Sequence, residues 1–447
     1  MKKKEITDKI DQFLGRFDKR QERAVNAILD DAIEEEGFVL PIIDGPPGTG
    51  KTSLGVTALA KYLVENPTNQ VLYMCYTHFA AEQAKNSLEK NFGFPPNTGI
   101  RLIPDPRVKN WDQGVIGCSS DLRNLSRDEL RRVKTAPILF CTLYGSNRAK
   151  EARRAGCRMV IDEFSQIDPS IFFMAINRIR DVNPRGYSLM GDPHQLPVVT
   201  TQSILRPNIA QFIRMRKPYT PHELVLQYRM HNDICAGVNN MRRKAIYTYE
   251  VKSGDDVKDR GMEGLGYKWN KNEVDPKYRD ILDPDYPFVI VNTDSFDSME
   301  EESESGSRKF VEEAKLAAKL ANFANCSYID IENGKALTPI ILSPYSAQVA
   351  EVHRRCEASL RERCATVYKS QGREYPLVIV SFVRKNDTGF IGFLDDYQLR
   401  AQSYVACSRA QGKLIVLLSK DTFIDKGHTI FDALYNTKEA YKEDAPK

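Results

Sequence analysis

Short, nearly uninterrupted apolar runs alternate along this chain with longer stretches in which apolar residues recur at helical spacing. Phe38–Asp44, Gln70–Tyr76, Ile138–Thr142, Met159–Asp162 and Tyr187–Gly191 form a first series of runs. Leu224–Gln227, Phe288–Asn292, Thr338–Leu342, Leu377–Phe382 and Leu414–Leu418 form a second. Runs rich in Val, Ile and Leu without polar alternation suit strands covered on both faces, as in a parallel sheet. Between them, Lys51–Glu65, Phe79–Asn91, Pro169–Arg180, Phe310–Asn325 and Ala347–Arg361 predict helices. Asp168-Pro169 reads as an N-cap followed by proline at the first helical position. Two series of strands alternating with helices predict an α/β protein of two tandem domains.

The boundary is expected near 205–222, where Arg206-Pro207 and Lys217-Pro218-Tyr219-Thr220-Pro221 break the pattern. The domains are therefore read as 1–215 and 216–447. Two stretches depart from the alternation, 95–132 with its prolines and 250–286 with its Asp, Lys and Gly, and both are expected to be surface insertions. The acidic Met299–Ser307 segment reads as a solvated loop.

A length of 447 residues fits two or more domains at about 150 residues each. With 64 basic and 60 acidic residues the net charge is +4, so any basic surface must be local. There is no run of 18 apolar residues, so no membrane partner is expected. The charged start, Met1 to Asp8, has no apolar stretch of the secretory kind. The nine cysteines include no C-x-x-C pair and read as free thiols in a reducing, intracellular compartment of cytoplasm or nucleus.

Chemistry enters with Gly45-Pro46-Pro47-Gly48-Thr49-Gly50-Lys51-Thr52, which fits G-x-x-x-x-G-K-[ST] between a strand and a helix. Glycines let backbone N–H groups curl around phosphate oxygens, and the helix start adds its positive dipole end. Lys51 would reach the β- and γ-phosphates of ATP, and the Thr52 hydroxyl would ligate Mg²⁺; Ser53 completes the nucleotide-binding set. Met159-Val160-Ile161-Asp162-Glu163 ends a strand in two carboxylates. Asp162 would hold Mg²⁺, and Glu163 would orient or deprotonate the attacking water.

Further motifs follow in a fixed order: DEFSQ at 162–166, GDPHQLP at 191–197, QYRMH at 227–231, SQGRE at 370–374 and ACSRA at 406–410. With the glycine loop, this set resembles the superfamily 1 nucleic-acid helicases over Gln21 to about Leu418. It is similar to the branch of the nonsense-mediated-decay helicase, with RecD-like features at Thr366–Gly372. The resemblance implies two RecA-like P-loop domains. It implies that Gln21 reads the adenine edge, Gln195 contacts the γ-phosphate side and Tyr228 stacks on the base. It gives Arg229 the γ-phosphate, Glu374 the ribose and Arg409 the part of an arginine finger. Because Lys51, Thr52 and Asp162 come from one domain and Arg229 and Arg409 from the other, hydrolysis is expected at their interface. Phe164 departs from the small residue most members carry.

By the same resemblance Thr77, Thr142, Pro344, Tyr345 and Thr366 are the nucleic-acid contacts, made to phosphate and ribose. Only 20 residues precede Gln21, which leaves no room there for the β-barrel of that branch, and weak processivity is expected. The activity implied is 5′-to-3′ ATP-dependent translocation or unwinding on single-stranded RNA or DNA, by a monomer. An ATP-switched clamp that remodels RNA–protein complexes without unwinding would carry the same motifs.

Overall fold

A computed structural model describes residues 2–30, 33–34, 37–38, 40–119, 122–152, 157–179, 186–198, 200, 202, 205–216, 219–244, 249–396 and 399–446. Val39, Ser120, Asp121, Arg180, Lys217 and Pro218, which fall in stretches read above, lie outside the described residues. The chain divides into two compact units, Met1–Pro46 with Gly50–Leu224, and Pro47–Thr49 with Val225–Lys447.

The first unit is built on one sheet. Its described strands lie in the order His222–Glu223, Ile42–Asp44, Gly186–Gly191, Arg158–Ile161, Val71–Cys75, Ile138–Thr142, Gly99–Ile103, Val115–Gly117, Lys109–Asn110. Every pairing is parallel except the last. Successive residues alternate between two apolar layers. Leu72, Met74, Leu139, Met159 and Ile161 face one, and Val71, Tyr73, Ile138, Phe140 and Val160 face the other. Both layers are covered, which is why the strands carry no polar alternation. The edge strand His222–Glu223 pairs with Ile43 and Asp44, so the first unit runs on to Leu224, past residue 215.

The stretch 95–132 is more than a surface insertion. Gly99–Ile103 pairs in parallel with Ile138–Thr142, and Ile100, Leu102 and Ile116 are buried. Its strands are short and set among prolines and charges, so the apolar signal is diluted. In the second unit, 250–286 likewise supplies core: Met262, Tyr278, Ile281 and Leu282 are buried with the helix Val311–Ser327.

The second unit carries a six-stranded sheet among its described residues, all parallel, in the order Cys364–Thr366, Ile340–Ser343, Tyr375–Ser381, Ala410–Leu418, Phe288–Asn292, Tyr441–Asp444. Both units are thus α/β with parallel sheets among their described residues, as the strand and helix pattern predicts.

The helix expected over Ala347–Arg361 spans Ser346–His353 instead. Connectivity sets the limit. The next strand lies parallel to Ile340–Ser343, so the helix need only return the chain along a four-residue strand of about 13 Å. Eight helical residues rise about 12 Å, whereas the fifteen expected would overshoot to about 22 Å. No helix among the described residues is long and apolar enough to cross a membrane. All nine cysteines are free.

Glu313 is fully buried in the second unit. Its carboxylate accepts from Ser381 Oγ at 2.6 Å, Val383 N at 2.9 Å and Thr293 Oγ1 at 3.5 Å. The bond to Val383 helps hold a β-branched residue at φ +74°, where it is strained. Burial pushes Glu313 up from its ordinary 4.5 to about 7 against those three donors. Between these pH values the folded chain holds more proton than the unfolded one. The stability this group contributes is therefore complete below pH 4.5 and is lost as pH rises toward 7, on the order of 3 kcal/mol. Glu313→Gln is expected to flatten that decline. Melting temperatures of both proteins at pH 5 and pH 8 check it, and an equal drop in the two would contradict it.

Candidate nucleotide and nucleic-acid sites

In the first unit the parallel strands bring their C-terminal ends to one edge, where α/β sheets bind ligands. Gly191 pairs with Asp44, Leu189 with Ile161, and Cys75 with Thr142. The glycine loop follows Asp44, and the carboxylates follow Ile161. The helix Lys51–Glu65 starts directly from Gly50, which sits at φ +75°. A Cβ there would meet nothing within 4 Å, so the need for glycine is purely conformational. Gly45 N donates to Gly191 O at 2.8 Å and ties the loop to the neighbouring strand. The Lys51 ammonium lies within its own loop, on the carbonyls of Gly45 and Pro46.

Asp162 is 1% exposed and is the hub of this edge. Its Oδ2 accepts from Thr52 Oγ1 at 3.1 Å and from Tyr73 OH at 2.6 Å, and its Oδ1 accepts from Glu163 N at 2.8 Å. Thr52 and Asp162 offer two hard oxygens 3.1 Å apart. Neighbouring ligands of an octahedral Mg²⁺ with bonds of about 2.1 Å lie about 3 Å apart, so this pair fits the ion. Among the described residues no cluster of three or more His, Cys, Asp or Glu could hold a metal, so most of such a shell would come from phosphate and water.

Burial, and the Asp162 carboxylate after it, pushes the Tyr73 phenol well above its ordinary range, so it stays a donor. Glu163 has φ +57°, a left-handed backbone uncommon for a glutamate. Strain of this kind gathers at working residues. The ring of Phe164 fills the space a larger residue at 191 would need, since a Cβ on Gly191 would lie 2.7 Å from it. That contact accounts for the glycine beside a bulky Phe164.

Gln195 stands on the loop after Gly186–Gly191, its N–H on Asp192 O at 3.2 Å. Pro193 O in that loop accepts from Asn208 Nδ2 and Gln211 Nε2, both at 2.9 Å. Gln21 lies in the first turn of the helix Lys19–Leu29, is 2% exposed, and accepts from Asp18 N at 3.0 Å in a capping box. The far end of that helix is held by Arg158, 1% exposed, which donates to Ile28 O, Leu29 O and Asp30 O. Its guanidinium lies 4.9 Å from the Tyr62 ring centre. Arg158→Ala would leave these carbonyls short of donors. It is expected to cost about 3 kcal/mol, read as a lower denaturation midpoint; a midpoint within error of the parent would contradict this.

In the second unit the turn after Leu226–Gln227 is built by Gln227, fully buried. Its Oε1 accepts from Arg229 N and Met230 N, both at 2.7 Å, and its Nε2 donates to Met230 O at 2.6 Å and Ser253 Oγ at 2.8 Å. The turn presents Arg229, whose Nε donates to Glu374 Oε2 at 2.7 Å and whose guanidinium also reaches Ser408 O at 3.0 Å. Gln411 Nε2 donates to Glu374 Oε1 at 3.0 Å. Arg409 is 2% exposed and donates to Val405 O at 3.1 Å and Arg373 O at 3.3 Å. Tyr228 packs over Gly254, where a Cβ would come within 3.0 Å of the ring. The second unit thus brings Arg229, Glu374 and Arg409 into one neighbourhood.

The expected nucleic-acid residues lie at strand ends. Thr77 caps the helix His78–Phe92, its Oγ1 accepting from Ala80 N at 3.1 Å, and Thr142 Oγ1 accepts from Gly145 N at 3.2 Å. Thr366 and Pro344 are half-buried. Tyr345 is 5% exposed, donates to Ile391 O at 3.4 Å and packs 4.9 Å from Phe393, so its ring belongs to the interior.

Tyr73, Arg158 and Gln411 escaped the sequence reading. Tyr73 sits in an apolar strand and reads as core. Arg158, a charge opening an apolar strand, was the one visible signal.

A glycine loop, a threonine and a carboxylate converging at the edge of a parallel sheet define the P-loop class. Family models described as AAA domain match residues 24–201 and 208–421. The DNA replication ATP-dependent helicase/nuclease DNA2 of Xenopus laevis is 28% identical over 400 residues, 84% of this chain and 35% of that protein. The regulator of nonsense transcripts 1 homolog of Arabidopsis thaliana is 24% identical over 431 residues, 85% of this chain and 31% of that protein. The chain therefore spans about a third of these relatives. The structure of Arterivirus nonstructural protein 10 (helicase) with DNA covers 91% of this chain and 65% of that one at 14% identity. Its TM-score of 0.44 is too low to bear on the fold. With its ordered motifs and these matches, the chain is similar to the superfamily 1 helicases, near the nonsense-mediated-decay branch.

Proposed function

We propose that this chain is a nucleic-acid-stimulated ATPase that moves 5′ to 3′ along single-stranded RNA or DNA and separates strands. The two units act jointly on one Mg²⁺-ATP. Lys51, Thr52, Asp162 and the glycine loop take the phosphates and the ion, Glu163 and Gln195 the attacking water, and Arg229 and Arg409 the charge on the transferring group. Gln21 and Tyr228 take the base, and Glu374 the ribose. Thr77, Thr142, Pro344 and Thr366 face the strand. The observation that carries the reading is the 3.1 Å approach of Thr52 Oγ1 to an Asp162 carboxylate fixed by Tyr73. Relatives named for DNA replication and for nonsense transcripts support either kind of strand as partner. An intracellular setting accords with the free thiols.

Strand displacement from duplexes with a 5′ or a 3′ single-stranded tail tests this. Displacement with the 5′ tail alone is expected. Stimulated hydrolysis without displacement would make the chain a clamp instead.

A further inference from the structure

In the first unit, Ile138 to Leu143 is buried throughout, yet the next residue, Tyr144, is 55% exposed. Its ring meets that of Tyr76 edge-on, with centres 6.1 Å apart and planes at 60°. Tyr76 and Tyr144 leave adjacent parallel strands at the same edge, because Cys75 pairs with Thr142. Each tyrosine is thus beside one of the two threonines assigned to the strand backbone, Thr77 and Thr142.

The tyrosine is held from both sides. Arg178 donates to Tyr144 O at 3.4 Å and to Ser146 Oγ at 3.3 Å. The following residue, Gly145, donates its N–H to Thr142 O at 2.8 Å and to Thr142 Oγ1 at 3.2 Å. The Arg148 guanidinium lies over Gly145, 3.3 Å from where a Cβ would stand. Burial and Tyr76 push the Tyr144 phenol up, so it stays neutral beside an anionic strand. The result is an exposed ring that meets Tyr76, carried on a tied backbone with two guanidinium groups and two threonine hydroxyls on or against the same segments. Phosphates suit the cations and hydroxyls, and an exposed ring suits the flat face of a base.

We propose that Tyr144 is a stacking platform for one base of the bound single strand. The assignment rests on the nucleic-acid reading above and adds a contact to the bases, where Thr77 and Thr142 serve only the backbone. Stacking accepts every base, so it supplies affinity without sequence preference, as a translocating chain requires.

The test is fluorescence anisotropy of the whole chain with a labelled oligothymidylate and with an abasic strand of equal length. Tyr144→Ala is expected to weaken oligothymidylate binding about tenfold to a hundredfold. Tyr144→Phe keeps the ring and is expected to bind as the parent does. All three should hold the abasic strand alike. In Tyr144→Trp, the indole emission should fall on adding oligothymidylate and not on adding the abasic strand. Equal oligothymidylate affinity for Tyr144→Ala and the parent would overturn the platform, as would an equal loss on the abasic strand. If the parent binds neither strand, the nucleic-acid reading itself fails and takes the platform with it, a result distinct from the other two.

Discussion

Arg409→Ala is expected to slow ATP turnover on the order of 10³-fold or more, the range for an arginine that neutralises a transferring phosphoryl group. The transition state spreads negative charge over three oxygens, and the chain has little covalent work to do there. What it can supply is fixed positive charge. Arg409 follows the helix Ala401–Cys407, and its side chain is set by bonds to Val405 O and Arg373 O. These two bonds use part of a planar fork with five donors. Lysine would keep the charge and lose the fork, so Arg409→Lys should rescue little. Because the group is buried, melting temperature and ATP affinity are measured alongside turnover. A loss below tenfold with the fold intact would leave Arg409 as a brace for residues 373 and 405 alone.

Glu163→Gln is expected to keep ATP binding and lose about 10²- to 10⁴-fold in hydrolysis, the span for a general base. Glutamine has the same shape and takes up the same backbone, so the φ of +57° is carried over with its strain. The binding groups, Lys51, Thr52 and the glycine loop, are untouched. Only the capacity to take a proton from water goes. Single-turnover hydrolysis beside an ATP-binding titration separates the two steps. Unchanged hydrolysis would remove Glu163 from the base role. Weakened binding with normal hydrolysis would place it among the binding groups.

Much of this architecture is legible in the amino-acid sequence. The helix Lys51–Glu65 ends where its pattern ends, because a glycine loop fixes its start and nine buried residues mark its face. The covered strands were legible for a related reason: alternate residues such as Leu72 and Tyr73 enter two different apolar layers, so the run stays apolar throughout. Other features could not be read locally. The length of Ser346–His353 is set by the strand it returns beside, which lies elsewhere in the chain. Arg229 meets Glu374 across 145 positions, and no spacing rule reaches that far. Tyr73 looks like core until Asp162 is placed against its hydroxyl. The capping box of Asp18 and Gln21 did have a sequence signature, acidic residue to glutamine at three positions, which the adenine-reading assignment overshadowed.

Hydrolysis at the phosphate-binding edge is expected to be coupled to a bound single strand. The most direct measurement is steady-state ATP hydrolysis by the whole chain as single-stranded RNA or DNA is titrated in. The rate should rise to a plateau with at least one of the two strands, and Lys51→Ala should abolish it. Hydrolysis that proceeds at one rate whatever strand is added would contradict the account.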